Sequence, residues 1–256
     1  MGKFDGYLIC SDLDGTFRNK IDIEPNLRAV KYFTDNGGKF TFATGRTVSH
    51  LEKLNYNHII NAPACICNGA VVYDGTTQKV LREARLEFKV MDFIDVIKRY
   101  NGSIQGVSIY NSCFEDEYNC REINSISNDI MCLNPLKIVC VFLTPEETEE
   151  FKNFARNEYL FETSYIGRSW STGVEFNSIN ATKGCALDFI KSQLDNIHTT
   201  IGIGDYENDI PLLSHADIGV AVNNALEIVK SSADIMVKPC EESAVADLIS
   251  ILDSKI

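Results

Sequence analysis

No apolar run of about 18 residues or more occurs in the sequence, so nothing in it reads as a membrane-spanning helix. It has no basic-then-apolar leader either; the first apolar strand begins almost at once, which predicts a cytoplasmic protein. The nine cysteines form no C-x-x-C pair, since Cys65 and Cys67 are one residue too close. Nor do His50, His58, His198 and His215 fall at zinc-binding spacings. The expectation is reduced cysteines acting as small hydrophobes. Basic residues are in the minority: 24 Lys and Arg against 36 Asp and Glu, a net charge of −12. Such a surface repels nucleic-acid phosphates and anionic membranes, and neither is expected as a partner. It also repels small phosphorylated molecules at long range. A site that handles phosphate must therefore supply its own local positive charge. Repeats and low-complexity linkers are absent as well.

What is present is a strand–helix alternation in 256 residues, 45% of them hydrophobic and 23% charged. Apolar strands are expected at 7–10, 39–43 and 64–67, with helices after the first two. The first helix has Pro25 in its opening turn and Gly37-Gly38 at its end. The same pattern returns after residue 182, with a helix over 183–194 and strands at 200–203, 218–222 and 234–237. Between about 80 and 180 the texture changes to mixed helices and strands. Neighbouring strands near 161–166 and 171–176 suggest an antiparallel hairpin with Arg168 and Trp170 in its turn. The expected fold is α/β, a doubly wound, Rossmann-like parallel sheet with an inserted α+β domain. Residues 1–80 and 182–256 would form the core, and 81–181 the insert.

Ligands of such sheets bind beyond the carboxyl ends of the strands. That rule selects Asp12-Leu13-Asp14-Gly15-Thr16, Thr44-Gly45-Arg46, Asn68-Gly69 and the segment from Gly204-Asp205 to Asn208-Asp209. Asp12, Asp14, Asp205 and Asp209 would crowd one crevice. Two carboxylates about 4 Å apart repel by about 4 kcal/mol at an effective dielectric near 20, so the cluster must take up protons or a cation. Oxygen donors without thiolate or imidazole point to Mg²⁺. Gly15 and Thr16 can aim backbone N–H groups at an anion. The Thr44 hydroxyl and the Gly45 region could hold phosphate oxygens. Lys183, opening a helix, could offer a point charge to them. Each segment alone is more often a turn, a helix cap or a solvated charge. Their weight lies in occurring together, in order, each at a strand end or helix start.

At these residues the chain resembles the haloacid dehalogenase superfamily, more narrowly the Cof-like hydrolases with a type IIB cap. The resemblance covers the whole core; the insert matches in position and size. It implies a Mg²⁺-dependent phosphatase acting on small phosphorylated metabolites such as sugar phosphates. Asp12 would be the nucleophile and a metal ligand. Asp14 would be the acid and base, and would reach the metal through its backbone carbonyl. Thr16, Thr44, Gly45, Lys183 and Asn208 would bind the phosphoryl group, and Asp205 and Asp209 would complete the metal site. Arg46, Asn68, Arg168 and Trp170 are candidate substrate contacts. A phosphomutase and a non-catalytic phosphate-ligand module are the alternatives, and the oligomeric state is left open.

Overall fold

Four buried residues, Leu8 to Ser11, end strand β1 (Tyr7–Ser11) and place it at the centre of the molecule. The computed structural model describes residues 2–18, 21–56, 58–114, 118–120 and 127–255. On one side β1 pairs in parallel with β2 (Lys39–Phe42). On the other it pairs with β11 (Thr199–Gly204), with Cys10 opposite Gly202. Next come β12 (Ile218–Val222) and β13 (Ile235–Val237), giving the order β13-β12-β11-β1-β2. All of these neighbours run parallel. A parallel bridge between Ala43 and Cys65 lays β3 (Ala64–Ile66) alongside, and β3 continues antiparallel into β4 (Val71–Asp74) and β5 (Lys79–Glu83). The chain thus builds outward from β1 in one direction, then returns to build in the other. The carboxyl ends of β1 and β11 flank the point of reversal, where such sheets open a crevice.

Two helix pairs pack on this sheet. One joins α1 (Glu24–Asp35), which buries Asn26, Val30 and Phe33, to α9 (Ala244–Lys255). The other joins α6 (Lys183–Ser192) to α7 (Ile210–His215). Shorter helices, α2 (Val48–Lys53) and α8 (Glu227–Lys230), follow β2 and β12.

The second sheet is antiparallel throughout. Its order is β7 (Tyr118–Cys120), β6 (Gly106–Tyr110), β8 (Lys137–Val141), β10 (Gly173–Ser178), β9 (Ser164–Trp170). The helices of this unit are α3 (Val90–Ile97), α4 (Asn128–Met131) and α5 (Pro145–Arg156). It has its own apolar cluster, in which Phe93, Phe151 and Phe161 surround Phe176; the Phe161 and Phe176 ring centroids are 4.8 Å apart. A separate cluster surrounds β1.

The structure moves two sequence expectations. The hairpin near 161–176 forms, but Arg168 and Trp170 lie on β9 and not in its turn. Gly173 is the reason: a Cβ there would lie 2.3 Å from the Trp170 ring, so the close glycine lets pairing run on to that residue. Strand β5 runs across the expected boundary at 80/81, and Leu81 packs against the cluster around β1. Among the described residues no helix is long and apolar enough to cross a membrane. None of the nine cysteines is joined in a disulfide.

Candidate active site

The carboxyl ends of β1 and β11 set the first two carboxylates. Asp12 N–H still donates to Ile203 O at 2.8 Å, so the β1–β11 ladder carries one residue past the strand and fixes Asp12. Gly15 then takes a φ of +89°, and a Cβ on it would meet Asp205 Oδ2 at 2.6 Å; only glycine brings this turn so close to Asp205. Gly204 gives a second close approach, since its Cβ would lie 2.4 Å from Asp209 Cγ. The Asp209 carboxylate folds back to accept from the N–H groups of Asp205 (2.9 Å) and Tyr206 (3.0 Å). Carboxylate oxygens of Asp12, Asp205 and Asp209 thereby lie within 4.8 Å of one another.

Lys183 enters from the start of α6. Thr182 Oγ1 caps that helix by accepting from Cys185 N–H at 3.1 Å, which places Lys183 in its first turn. Its Nζ stands 2.6 Å from Asp12 Oδ1 and 2.6 Å from Asp209 Oδ1, with the side chain fully buried. Burial works against the ammonium charge, but Asp12 and Asp209 outweigh it and hold the Lys183 pKa above the ordinary lysine value. One ammonium cannot neutralise three carboxylates. Burial, with Asp209 and Asp205 adding to it, pushes Asp12 well above the usual carboxylate range. Burial and then Asp209 push Asp205 up to about 7. Crowded carboxylates lacking positive charge, with no imidazole or thiolate among them, suit a hard divalent cation. Asp12, Asp205 and Asp209 are the residues that could hold it.

A cavity of about 420 Å³ opens over this cluster. Asp12, Asp14, Thr44, Gly45, Arg46, Asp205, Asn208 and Asp209 line it from the core. Trp170 lines it from the insert, together with Tyr110, Lys137, Ser169 and Glu175. The loop after β2 is folded onto residues 67–69: Asn68 N–H donates to Thr44 O (2.9 Å) and Cys67 N–H to Arg46 O (3.0 Å). Asn68 has φ 60°, a left-handed geometry that asparagine tolerates better than most residues.

Several expected residues stand elsewhere than the sequence placed them. The Asp14 carboxylate is outside the three-carboxylate cluster, held by Arg46 through Nε at 2.5 Å and Nη2 at 2.8 Å. Thr16 is expected to meet phosphate through its backbone N–H; its hydroxyl donates to Asp205 Oδ1 at 3.0 Å and so orients a carboxylate. Asn68, expected to touch substrate, engages its amide with cavity-wall residues, donating to Glu175 and accepting from Asn208 Nδ2 at 3.0 Å. Arg168, expected to touch substrate, instead spans from β9 to Glu207, with Nε 2.8 Å from Glu207 Oε1. Lys152 of α5 joins it on the same carboxylate at 2.7 Å, and Tyr165 donates to the Glu207 carbonyl at 3.0 Å. The insert is thus fastened to the loop that carries Asp205 and Asp209.

Sequence reasoning missed Lys137, Glu175, Ser169, Tyr110 and His50, all in the cavity wall; Tyr206, inside the selected segment 204–209, lines it as well. A signal existed for two of them. Strand alternation sends Ile138, Cys140, Val174 and Phe176 into the insert's core, so Lys137 and Glu175 must face the other way.

Comparison with known proteins agrees with this geometry. The chain is 25% identical over 245 residues to the 5-amino-6-(5-phospho-D-ribitylamino)uracil phosphatase of Bacillus subtilis, covering 94% of each chain. It is 23% identical to the pyridoxal phosphate phosphatase of Escherichia coli, over 94% of this chain and 97% of that one. Among solved structures, a sugar phosphatase of HAD subclass IIB shares the fold at a TM-score of 0.77 and 22% identity, with 96% and 99% of the two chains covered. A Streptococcus mutans protein does so at 0.80 and 19%, with 96% and 98% covered. The family model for haloacid dehalogenase-like hydrolases matches residues 9–249. The chain therefore belongs to the haloacid dehalogenase-like hydrolases, enzymes among which its curated relatives are phosphatases.

Proposed function

We propose that this protein is a Mg²⁺-dependent phosphatase that hydrolyses phosphate monoesters of small metabolites through a phosphoryl intermediate on Asp12. The observation that carries this reading is Lys183 Nζ, 2.6 Å from both Asp12 and Asp209, at the edge of a three-carboxylate cluster under a cavity. Asp12, Asp205 and Asp209 would hold the ion, with the Asp14 backbone carbonyl beside them. Bound there, Mg²⁺ supplies positive charge that offsets the repulsion between the Asp12 carboxylate and the phosphate.

Asp12 attacks phosphorus in line, forming an Oδ–P bond as the bond from phosphorus to the ester oxygen breaks. Asp14 gives its proton to the departing oxygen. A water then attacks the same phosphorus, Asp14 takes its proton, the Oδ–P bond breaks and inorganic phosphate leaves. Lys183, Thr44 and Asn208 hold the equatorial oxygens, where charge gathers in the transition state. Thr16 serves through Asp205. To act in either transfer Asp14 must turn from Arg46 toward the phosphoryl group.

The insert, residues 81–181 with its edge at β5, would act as a cap that excludes water and meets the leaving group. Trp170 and Tyr110 offer it aromatic faces. We place the enzyme in the cytoplasm, in keeping with nine cysteines outside any disulfide. Its acidic surface repels nucleic acid and anionic membranes, while Lys183 and the bound metal would supply the local positive charge that a small phosphorylated substrate needs. Purified protein assayed against a panel of phosphate esters should release phosphate with Mg²⁺ and not after chelation. No turnover of any ester with Mg²⁺ would overturn the reading in favour of a binding module. Conversion of a hexose 1-phosphate to its 6-phosphate would identify a phosphomutase instead.

A further inference from the structure

Two buried charges in the cavity wall have no part in the chemistry above. Lys137 on β8 and Glu175 on β10 are 2% and 3% exposed, with Nζ 3.3 Å from Oε1. They lie diagonally across the strand pair, since Lys137 is opposite Asn177 and Glu175 opposite Val139. Desolvating an ion pair commonly offsets its Coulomb attraction, so stability alone is a poor reason for the pair. What each charge touches across the interface is more telling.

Glu175 begins a directed chain. Its Oε2 accepts from Ser169 Oγ at 2.7 Å and from Asn68 Nδ2. A carboxylate only accepts, so Asn68 must present its NH₂ to Glu175 and its oxygen the other way. That oxygen accepts from Asn208 Nδ2 at 3.0 Å. The orientation of the Asn208 amide, a phosphoryl ligand in the reading above, is thereby set from the insert.

Lys137 works on the other side of the same site. Its Nζ donates to the Gly45 carbonyl at 3.0 Å and stands 4.4 Å from the centroid of the Tyr110 ring. The N–H of that same Gly45–Arg46 peptide donates to Thr44 Oγ1 at 3.2 Å. Holding the carbonyl therefore holds the N–H on the threonine oxygen, which leaves the hydroxyl proton of Thr44 to be given to a phosphoryl oxygen.

We propose that Lys137 and Glu175 are positioning residues: from the insert they orient Thr44 and Asn208, so that phosphoryl binding is complete only with the insert seated on the core. This rests on the phosphatase reading and deepens it. A contact to the leaving group or plain interface packing would be the competing roles.

Inorganic phosphate separates them, because it has no leaving group. In the full-length protein with Mg²⁺, Glu175→Gln should weaken inhibition by inorganic phosphate about 10-fold or more, the scale of a lost hydrogen bond to a charged group. It should lower kcat/KM by a similar factor for every ester tested. In an Asn208→Ala background, Glu175→Gln should add little, since both changes disable one chain of contacts. Asn68→Gly, which keeps the left-handed backbone accessible, should give the same loss if Glu175→Gln fails to fold. Unchanged phosphate inhibition would overturn the proposal. Losses that differ between esters would then assign the pair to the leaving group, and a drop in melting temperature alone to packing. If the wild type turns over no ester, the phosphatase reading falls. Calorimetric titration of inorganic phosphate into the same variants would then decide the positioning role by itself.

Discussion

Arg46 grips the Asp14 carboxylate at two points, Nε to Oδ2 at 2.5 Å and Nη2 to Oδ1 at 2.8 Å. The proposed proton donor is thus parked on a guanidinium at the cavity mouth. Both side chains are substantially exposed, 31% and 47%, so the pair contributes at most about 1 kcal/mol to folding. Arg46→Ala should leave the denaturation midpoint nearly unchanged. Asp14→Asn should lower kcat by about 10²–10⁴, the usual contribution of general acid–base catalysis. Arg46→Ala should lower it much less. Steady-state kinetics and chemical denaturation of the two variants check this contrast.

Lys183 bridges two carboxylates that would otherwise repel each other out of water. Lys183→Ala should abolish turnover and destabilise the metal-free protein by about 3–5 kcal/mol, as removal of one partner from a buried ion pair does. Mg²⁺ should recover part of that loss, so thermal scans should show a larger rise in melting temperature with MgCl₂ for the variant than for the wild type.

The remaining crowding at Asp12, Asp205 and Asp209 predicts metal dependence. Chelation should stop turnover, and Mg²⁺ should restore it. Asp205→Asn removes one of three charged donors, so the MgCl₂ concentration giving half-maximal activity should rise by about 10-fold or more. An unchanged value would exclude Asp205 from the metal site.

Glu207 sits between Asp205 and Asp209 in sequence and takes both Arg168 and Lys152 from the insert. The Lys152 side chain is 6% exposed. Glu207→Ala leaves that ammonium only the longer contact to Glu149, at 3.5 Å, and should cost about 2–3 kcal/mol. Arg168→Ala should cost less, because Glu207 keeps Lys152. Denaturation curves for the two variants and their double mutant measure the coupling.

The central sheet was legible because its strands are short apolar runs ending in polar residues, and the carboxylates follow those ends directly. Asp12, Lys183, Asp205 and Asp209 come together as local sequence implied. Orientation was not legible. Thr16 turns to Asp205, Asn68 to Glu175, and Asp14 to Arg46, each because a partner distant in the chain arrives through folding. Arg168 shows the same limit: the residue was noticed, but its partner Glu207 lies 39 positions away on another unit.

The stereochemical course at phosphorus tests the central claim most directly. A phosphorothioate ester made chiral at phosphorus by sulfur and two oxygen isotopes, hydrolysed in water carrying the third isotope, should yield thiophosphate of retained configuration. Two in-line displacements, the first by Asp12 and the second by water, each invert it. Net inversion would mean that water attacks the ester directly and would contradict a phosphoryl intermediate on Asp12.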